Sequence, residues 1–423
     1  MQSVYAMLHV VLVVAYLAAP PLLVVLGVVL VVRARRAGRS TAAAIVPVVS
    51  TLIAGAAIGM SLAMIYAWVI GRSVTAISIG QVLLAAYAGM GLLSILKGLD
   101  WLLQQAIGAV RRRRGWEGPS AASLALFVRF VFLVLVLLPF SMAATMTYRP
   151  KVVPSHTPAT EIGVGYQDVR FEAADGTRLA AWWIPAPALR QGSPDETAVV
   201  VHGLGSGKAD MLHMAGALHA AGYNVLVLDL RAHGQSGGQL SSFGVSERLD
   251  VEAAARWVRE MRPSSSRRLV ALGASMGAAA TLAARDATGQ SPFDAIAVLG
   301  TYDDLGRMAA TVIRRQFWGP LATVARWTAV PAASAHAGED LASFRPAEAA
   351  RGVWPRPLLV VHGEADEIIP FRSGVRLYES ALEPKRSWWL PDLDHNGVLG
   401  APGTMEVVLQ FYEDARRVPR GIA

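Results

Sequence analysis

Four apolar runs fill most of the first 146 residues: 8–32, 43–70, 77–96 and 121–146. The hydrocarbon core of a bilayer takes roughly 20 apolar residues of helix to cross, so four transmembrane helices are predicted within residues 1–147. Pro20, Pro21 and Pro139 predict bends in these helices and not breaks, because neighbouring helices can re-satisfy the freed carbonyls. The first run has no basic residue before it and is long for a signal-peptide core, so its retention is expected. Gly55, Gly59 and Ser61 suit close helix packing. Charge sorts in the same way as hydropathy. Residues 1–149 carry 12 Lys and Arg against Asp100 and Glu117 alone, leaving 27 of the 39 basic and 29 of the 31 acidic residues to the rest of the chain. The clusters Arg33, Arg35, Arg36, Arg39 and Arg111, Arg112, Arg113, Arg114 face only Arg72 in the intervening loop. Basic loops stay in the cytoplasm, so everything after Pro150 is expected on the extracytoplasmic side of the cytoplasmic membrane. Arg129 then snorkels to an interface. The expected partner of this third of the chain is a lipid bilayer; nucleic acid is not, since the basic excess lies in short clusters between apolar runs. The absence of cysteine excludes disulfides, thiolate catalysis and cysteine-ligated metal.

Residues 148–161 contain Pro150, Pro154 and Pro158 and read as an extended tether. Beyond them the pattern changes to short apolar runs alternating with stretches of helical period. The Asp175-Gly176 turn separates strands predicted at 168–173 and 179–185. Further strands are predicted at 198–201, 225–230, 269–272, 295–299, 358–361 and 387–390, and helices at 209–221, 247–261, 278–285, 372–382 and 404–415. The fold class is therefore α/β over residues 162–418: a mostly parallel sheet with helices on both faces and its site at the carboxyl ends of the strands.

One motif in that context carries chemistry. Gly273-Ala274-Ser275-Met276-Gly277 directly follows a predicted strand and opens a helical run. A tight turn of this kind lifts a serine hydroxyl clear of the backbone, and the small flanking residues let strand and helix crowd around it. The similar Gly234-Gln235-Ser236-Gly237-Gly238 is followed by polar loop residues, so Ser236 is read as loop. Residues 203–208 faintly resemble a phosphate loop, but Ala209 stands where a magnesium-binding hydroxyl is needed, and a nucleotide site is set aside. A serine nucleophile needs a base and an orienting acid. Asp366 follows one predicted strand and His395 follows the last, with Asp394, Glu364 and Asp392 as competing acids. His233, His202 and His362 read as structural histidines, and Asp229 and Asp250 as braces for loops and helices. No grouping has metal-ligand spacing, so neither metal nor cofactor is expected.

With these residues in place the sequence resembles the alpha/beta-hydrolase superfamily, in its branch of serine-aminopeptidase-like and monoacylglycerol-lipase-like hydrolases. The likeness rests on His202-Gly203-Leu204-Gly205, the run from Asp229 to Ser236, the turn at Ser275, and His362-Gly363-Glu364-Ala365-Asp366. It implies Ser275 as nucleophile, His395 as general base and then acid, Asp366 as orienter, and the backbone N–H groups of Leu204 and Met276 as oxyanion hole. Residues 300–352 occupy the place of the family's lid. Their apolar stripe, including Met308, Ile313, Phe317, Trp318 and Trp327, is expected either to pack the lid on the body or, with Phe317, Trp318 and Trp327, to line an acyl pocket. The expectation is a membrane-anchored serine hydrolase of an ester or thioester, with an acyl or lipid substrate. The alternatives are a serine peptidase, for which Asp303, Asp304, Glu339 or Asp340 could hold the peptide amine, and an inert membrane scaffold or receptor.

Overall fold

The computed structural model describes residues 2–38, 40–69, 79–114, 121–132, 143, 146–148, 151, 153, 155–187, 195–316 and 319–417. Two compact units make up the chain, Met1–Leu138 and Pro139–Ala423.

The first unit consists of α1 (Gln2–Arg36), α2 (Ala42–Val69), α3 (Ile79–Arg114) and α4 (Ala121–Phe132). Glycine sets the α2–α3 crossing. A Cβ on Gly55 would stand 2.6 Å from the Cα of Met90, and one on Gly89 would overlap the Gly55 carbonyl, so the two backbones touch where neither has a side chain. Arg129 does not simply reach for an interface: its Nε donates to Asp100 Oδ1 at 2.6 Å, pairing α4 with α3. Large apolar side chains face outward on all four helices, among them Leu22, Val25, Ile53, Trp101, Leu102, Phe127 and Phe130, each at least 56% exposed. The expected four-crossing bundle is nevertheless reduced to one candidate span among the described residues, Ala18–Arg36, with a shorter apolar stretch at Ile45–Met60. Lys97 and Asp100 interrupt α3, and α4 is described over only 12 residues, less than a bilayer requires. Part of the third and fourth expected spans lies outside the described residues.

The second unit is built on β1 (Gln167–Glu172), β2 (Arg178–Ile184), β3 (Glu196–Val201), α5 (Leu212–Ala220), β4 (Asn224–Asp229), α6 (Glu247–Met261), β5 (Arg268–Ala274), α7 (Met276–Ala283), β6 (Ala295–Leu299), α8 (Leu305–Gln316), α9 (Gly319–Ala337), α10 (Pro346–Arg351), β7 (Leu358–Gly363), α11 (Phe371–Ser380), β8 (Lys385–Leu390) and α12 (Thr404–Ala415). The eight strands form one sheet in the order β1-β2-β4-β3-β5-β6-β7-β8. β2 runs antiparallel to both β1 and β4, and the remaining pairs are parallel.

Strand periodicity decides the two cores. Val199, Val201, Leu226, Leu228, Leu269 and Ala271 point to one face, where α6, α7 and α11 cover them. Their neighbours Val200, Val225, Val227, Val270 and Leu272 point to the other, against α5 and α12. Central strands buried on both faces read as unbroken apolar runs, and each fully buried Val or Leu contributes about 1.5–3 kcal/mol. Buried polar groups brace the loops at the carboxyl edge. Asp229 accepts from Lys208 N at 2.8 Å, Lys208 Nζ at 2.5 Å and Gln235 N at 2.9 Å. Lys208 is thus spent on Asp229. The Arg231 guanidinium forks onto Asp250, and Ser236 Oγ bonds the Asp229 carbonyl from a buried loop.

Candidate active site

Ser275 sits between the last residue of β5 and the first of α7 with φ 51° and ψ −118°. Such a conformation costs a non-glycine residue on the order of 1–3 kcal/mol and persists only where surroundings enforce it. Three glycines do so. A Cβ on Gly273 would fall 2.6 Å from the Ala278 Cα, one on Gly277 would overlap the His202 carbonyl, and one on Gly203 would stand 3.1 Å from the Ser275 Cβ. Strand, helix and the loop after β3 therefore close around the serine, whose backbone N–H donates to the Leu299 carbonyl at 2.8 Å.

The loops after β7 and β8 bring Asp366 and His395 to the same edge. His395 Nε2 lies 3.1 Å from Ser275 Oγ, and its Nδ1 lies 2.7 Å from Asp366 Oδ2. A carboxylate can only accept, so Nδ1 carries the proton and Nε2 is left to accept from the serine hydroxyl. Asp366 Oδ1 takes the N–H groups of Ile368 and Ile369 at 2.9 and 2.7 Å. Burial alone would push this carboxyl up, but the hydrogen bonds from His362 and His395, the charge of His395 and the Ile369 N–H together hold it well below the usual carboxylate range. Asp366 is ionised at any working pH. The competing acids are elsewhere: Asp394 Oδ1 caps the Gly397 N–H at 2.6 Å, and Glu364 and Asp392 are exposed.

His362 was not expected in this cluster. Fully buried, it donates from Nε2 to the Ile369 carbonyl at 2.9 Å and stands 3.3 Å from Asp366 Oδ2. Its spacing of four residues from Asp366 was the available signal. His202 and His233 brace the loop that carries Leu204. His202 accepts the Leu230 N–H and lies 2.7 Å from the Gly203 carbonyl, and His233 accepts the Gly205 N–H at 3.1 Å. Burial, then the neighbouring His233, pushes His202 down to about 4. Leu204 thus lies on a pinned loop touching Ser275, and Met276 opens α7, where N–H groups have no intrahelical acceptor.

Between α8 and α9 lies an apolar cavity of about 50 Å³ with Met146, Phe243, Met308, Ile313 and Val330 in its walls. Trp327 is not part of it: the ring is 73% exposed on the outer side of α9. The inner side of that helix consists of small residues, Ala322, Ala325, Ala329 and Ala333, which let the lid helices approach closely and turn the bulkier tryptophan to solvent. Phe317 and Trp318 lie outside the described residues. The acids considered for a peptide amine are engaged: Asp303 by Arg307 and Arg376, Asp304 by Arg345 and Glu339 by Ser246, while Asp340 is exposed.

Known proteins share this fold. The family model for serine aminopeptidases of the S33 type matches residues 192–336. The chain belongs to the alpha/beta-hydrolase family. Its relatives there include the uncharacterized protein YfhR of Escherichia coli, 30% identical over 234 residues that make up 54% of this chain and 73% of YfhR. The uncharacterized protein Rv2307c of Mycobacterium tuberculosis is 26% identical over 283 residues, 66% of this chain and 88% of the relative. Among solved structures, the esterase Pf2001 of Pyrococcus furiosus matches with a TM-score of 0.51 at 23% identity, covering 64% of this chain and 98% of that one, a likeness of fold.

Proposed function

We propose that the protein is a membrane-anchored serine hydrolase that cleaves a carboxylic ester or thioester of an acyl or lipid compound through an acyl-enzyme. The observation that carries this reading is the hydrogen-bonded series Ser275–His395–Asp366 on a strained turn. In the reaction, His395 Nε2 takes the hydroxyl proton as Ser275 Oγ attacks the carbonyl carbon. Asp366 holds the imidazole in the required tautomer and stabilises the imidazolium. The N–H groups of Leu204 and Met276 receive the oxyanion, and His395 returns the proton to the departing alcohol or thiol. Water then repeats the cycle on the acyl-enzyme and releases the acid.

Two observations favour an acyl substrate over a peptide. The lid cavity has only apolar walls, and Asp303, Asp304 and Glu339 already have partners. Anchorage in a bilayer is part of the same proposal, supported by the outward-facing apolar side chains of α1, α2 and α4. The arginine cluster ending α3 marks a cytoplasmic end, so a crossing by the apolar run that follows would set the hydrolase unit outside. The test is a series of p-nitrophenyl esters from acetate to laurate beside aminoacyl p-nitroanilides. Ester turnover without anilide turnover is expected; the opposite pattern would overturn the ester reading in favour of a peptidase.

A further inference from the structure

The residues immediately before the hydrolase fold do not form a free tether. Thr147 is fully buried. Its Oγ1 donates to the Ala143 carbonyl at 2.7 Å and lies 2.6 Å from His336 Nδ1, in the last turn of α9. With the hydroxyl proton given to Ala143, His336 is the donor in the second bond. The Thr147 carbonyl accepts the Ser241 N–H at 2.8 Å, Tyr148 forms an antiparallel bridge with Leu240, and Lys151 Nζ donates to the Ser236 carbonyl. Ser241 in turn meets Met276 Sδ at 3.3 Å. Met146, one residue earlier, forms a wall of the apolar cavity under α8 and α9. One short stretch thus touches the cavity, a lid helix and the loop against Met276.

We propose that Ala143, Met146 and Thr147 belong to the substrate site: Met146 closes the acyl cavity and the Thr147–His336 hydrogen bond latches α9 over it. Acyl-chain preference is then set in part by residues at the end of the fourth apolar run and immediately after it. The inference rests on the ester-hydrolase reading and names the substrate class more closely. A cavity of about 50 Å³ admits on the order of four water-sized groups, a short run of methylenes, and residue 146 bounds that run.

The experiment uses the full-length protein in detergent and two variants, Met146→Trp, which fills the cavity, and Met146→Ala, which enlarges it. Two quantities are read: the ratio of kcat/KM for hexanoate and acetate p-nitrophenyl esters, and binding of radiolabelled hexanoic acid to the same variants in a Ser275→Ala background. Met146→Trp should lower the hexanoate value by about tenfold or more and weaken fatty-acid binding in step, and should lower the acetate value by a clearly smaller factor. Met146→Ala should shift the ratio toward hexanoate, and it decides the matter alone if the tryptophan variant fails to fold. Equal factors on both esters with unchanged fatty-acid binding would overturn the inference and leave the ester reading standing. No ester turnover in the wild type, with fatty-acid binding that still follows residue 146, would overturn the ester reading and keep Met146 as an acyl-site wall.

Discussion

At Asp366 three donors converge on one buried carboxylate, two backbone N–H groups and His395, with His362 Nε2 3.3 Å away. Replacing it by Asn leaves the shape but turns one oxygen into a donor, so the imidazole loses its enforced tautomer. Asp366→Asn should lower kcat/KM for an ester by on the order of a thousandfold or more, whereas Asp394→Asn, which alters only the cap on Gly397, should change it by less than about threefold. Steady-state assays of the two variants check this, and the reverse ranking would move the orienting role to Asp394. His202 makes a pH prediction. Its folded value of about 4 lies below the 6.5 of an ordinary histidine, so below pH 6.5 the unfolded chain binds more protons than the folded one. Stability from keeping His202 neutral is complete above 6.5 and is lost as pH falls toward 4. The thermal midpoint should drop on acidification across that window, and the drop should be smaller in His202→Gln. An equal drop in both proteins would contradict the assignment. These histidines were only partly legible in the sequence. His233 and His202 read correctly as structural, because histidine beside glycine at a strand end commonly bonds the local backbone. His362 did not read as a partner of Asp366, because its contact depends on how the loop after β7 folds back.

The elements themselves were nearly all visible as period. Each predicted strand has its counterpart within a few residues, since valine-rich runs bounded by turn residues leave little else to form, and α6 and α12 have the predicted bounds. The lid was the exception. Large apolar residues drew attention to Trp327, yet α9 packs through alanines, a choice made by interhelical distance that no periodicity of bulky residues reveals. The elbow between β5 and α7 was legible because its glycines answer to a steric demand. Gly277→Ala would drive a methyl group into the His202 carbonyl and to 2.8 Å from Val201 Cγ1. We expect a loss of about 1–3 kcal/mol in stability by denaturant titration, with esterase activity falling further than stability does, since the turn is displaced. Wild-type stability in this variant would mean that strand and helix are less tightly joined than described.

For the molecule as a whole, composition announced two kinds of surface, and the structure divides into two units accordingly. Exposed Leu22, Val25, Ile53 and Phe127 would be costly in water and favourable in lipid. Alkaline phosphatase fused after Ala423 should be active if the hydrolase unit lies outside the cytoplasmic membrane; a silent fusion, with a fluorescent cytoplasmic reporter at the same site, would place that unit inside. The number of crossings was the least legible quantity in the sequence, because an apolar run states that a segment prefers lipid and not whether it spans. Labelling with a fluorophosphonate tests the nucleophilic role of Ser275 most directly. The full-length wild type should take up the probe covalently at one site, the label should map to Ser275, and Ser275→Ala should take up none while keeping the wild-type circular dichroism spectrum. Equal labelling of wild type and variant, or none in a folded wild type, would contradict it.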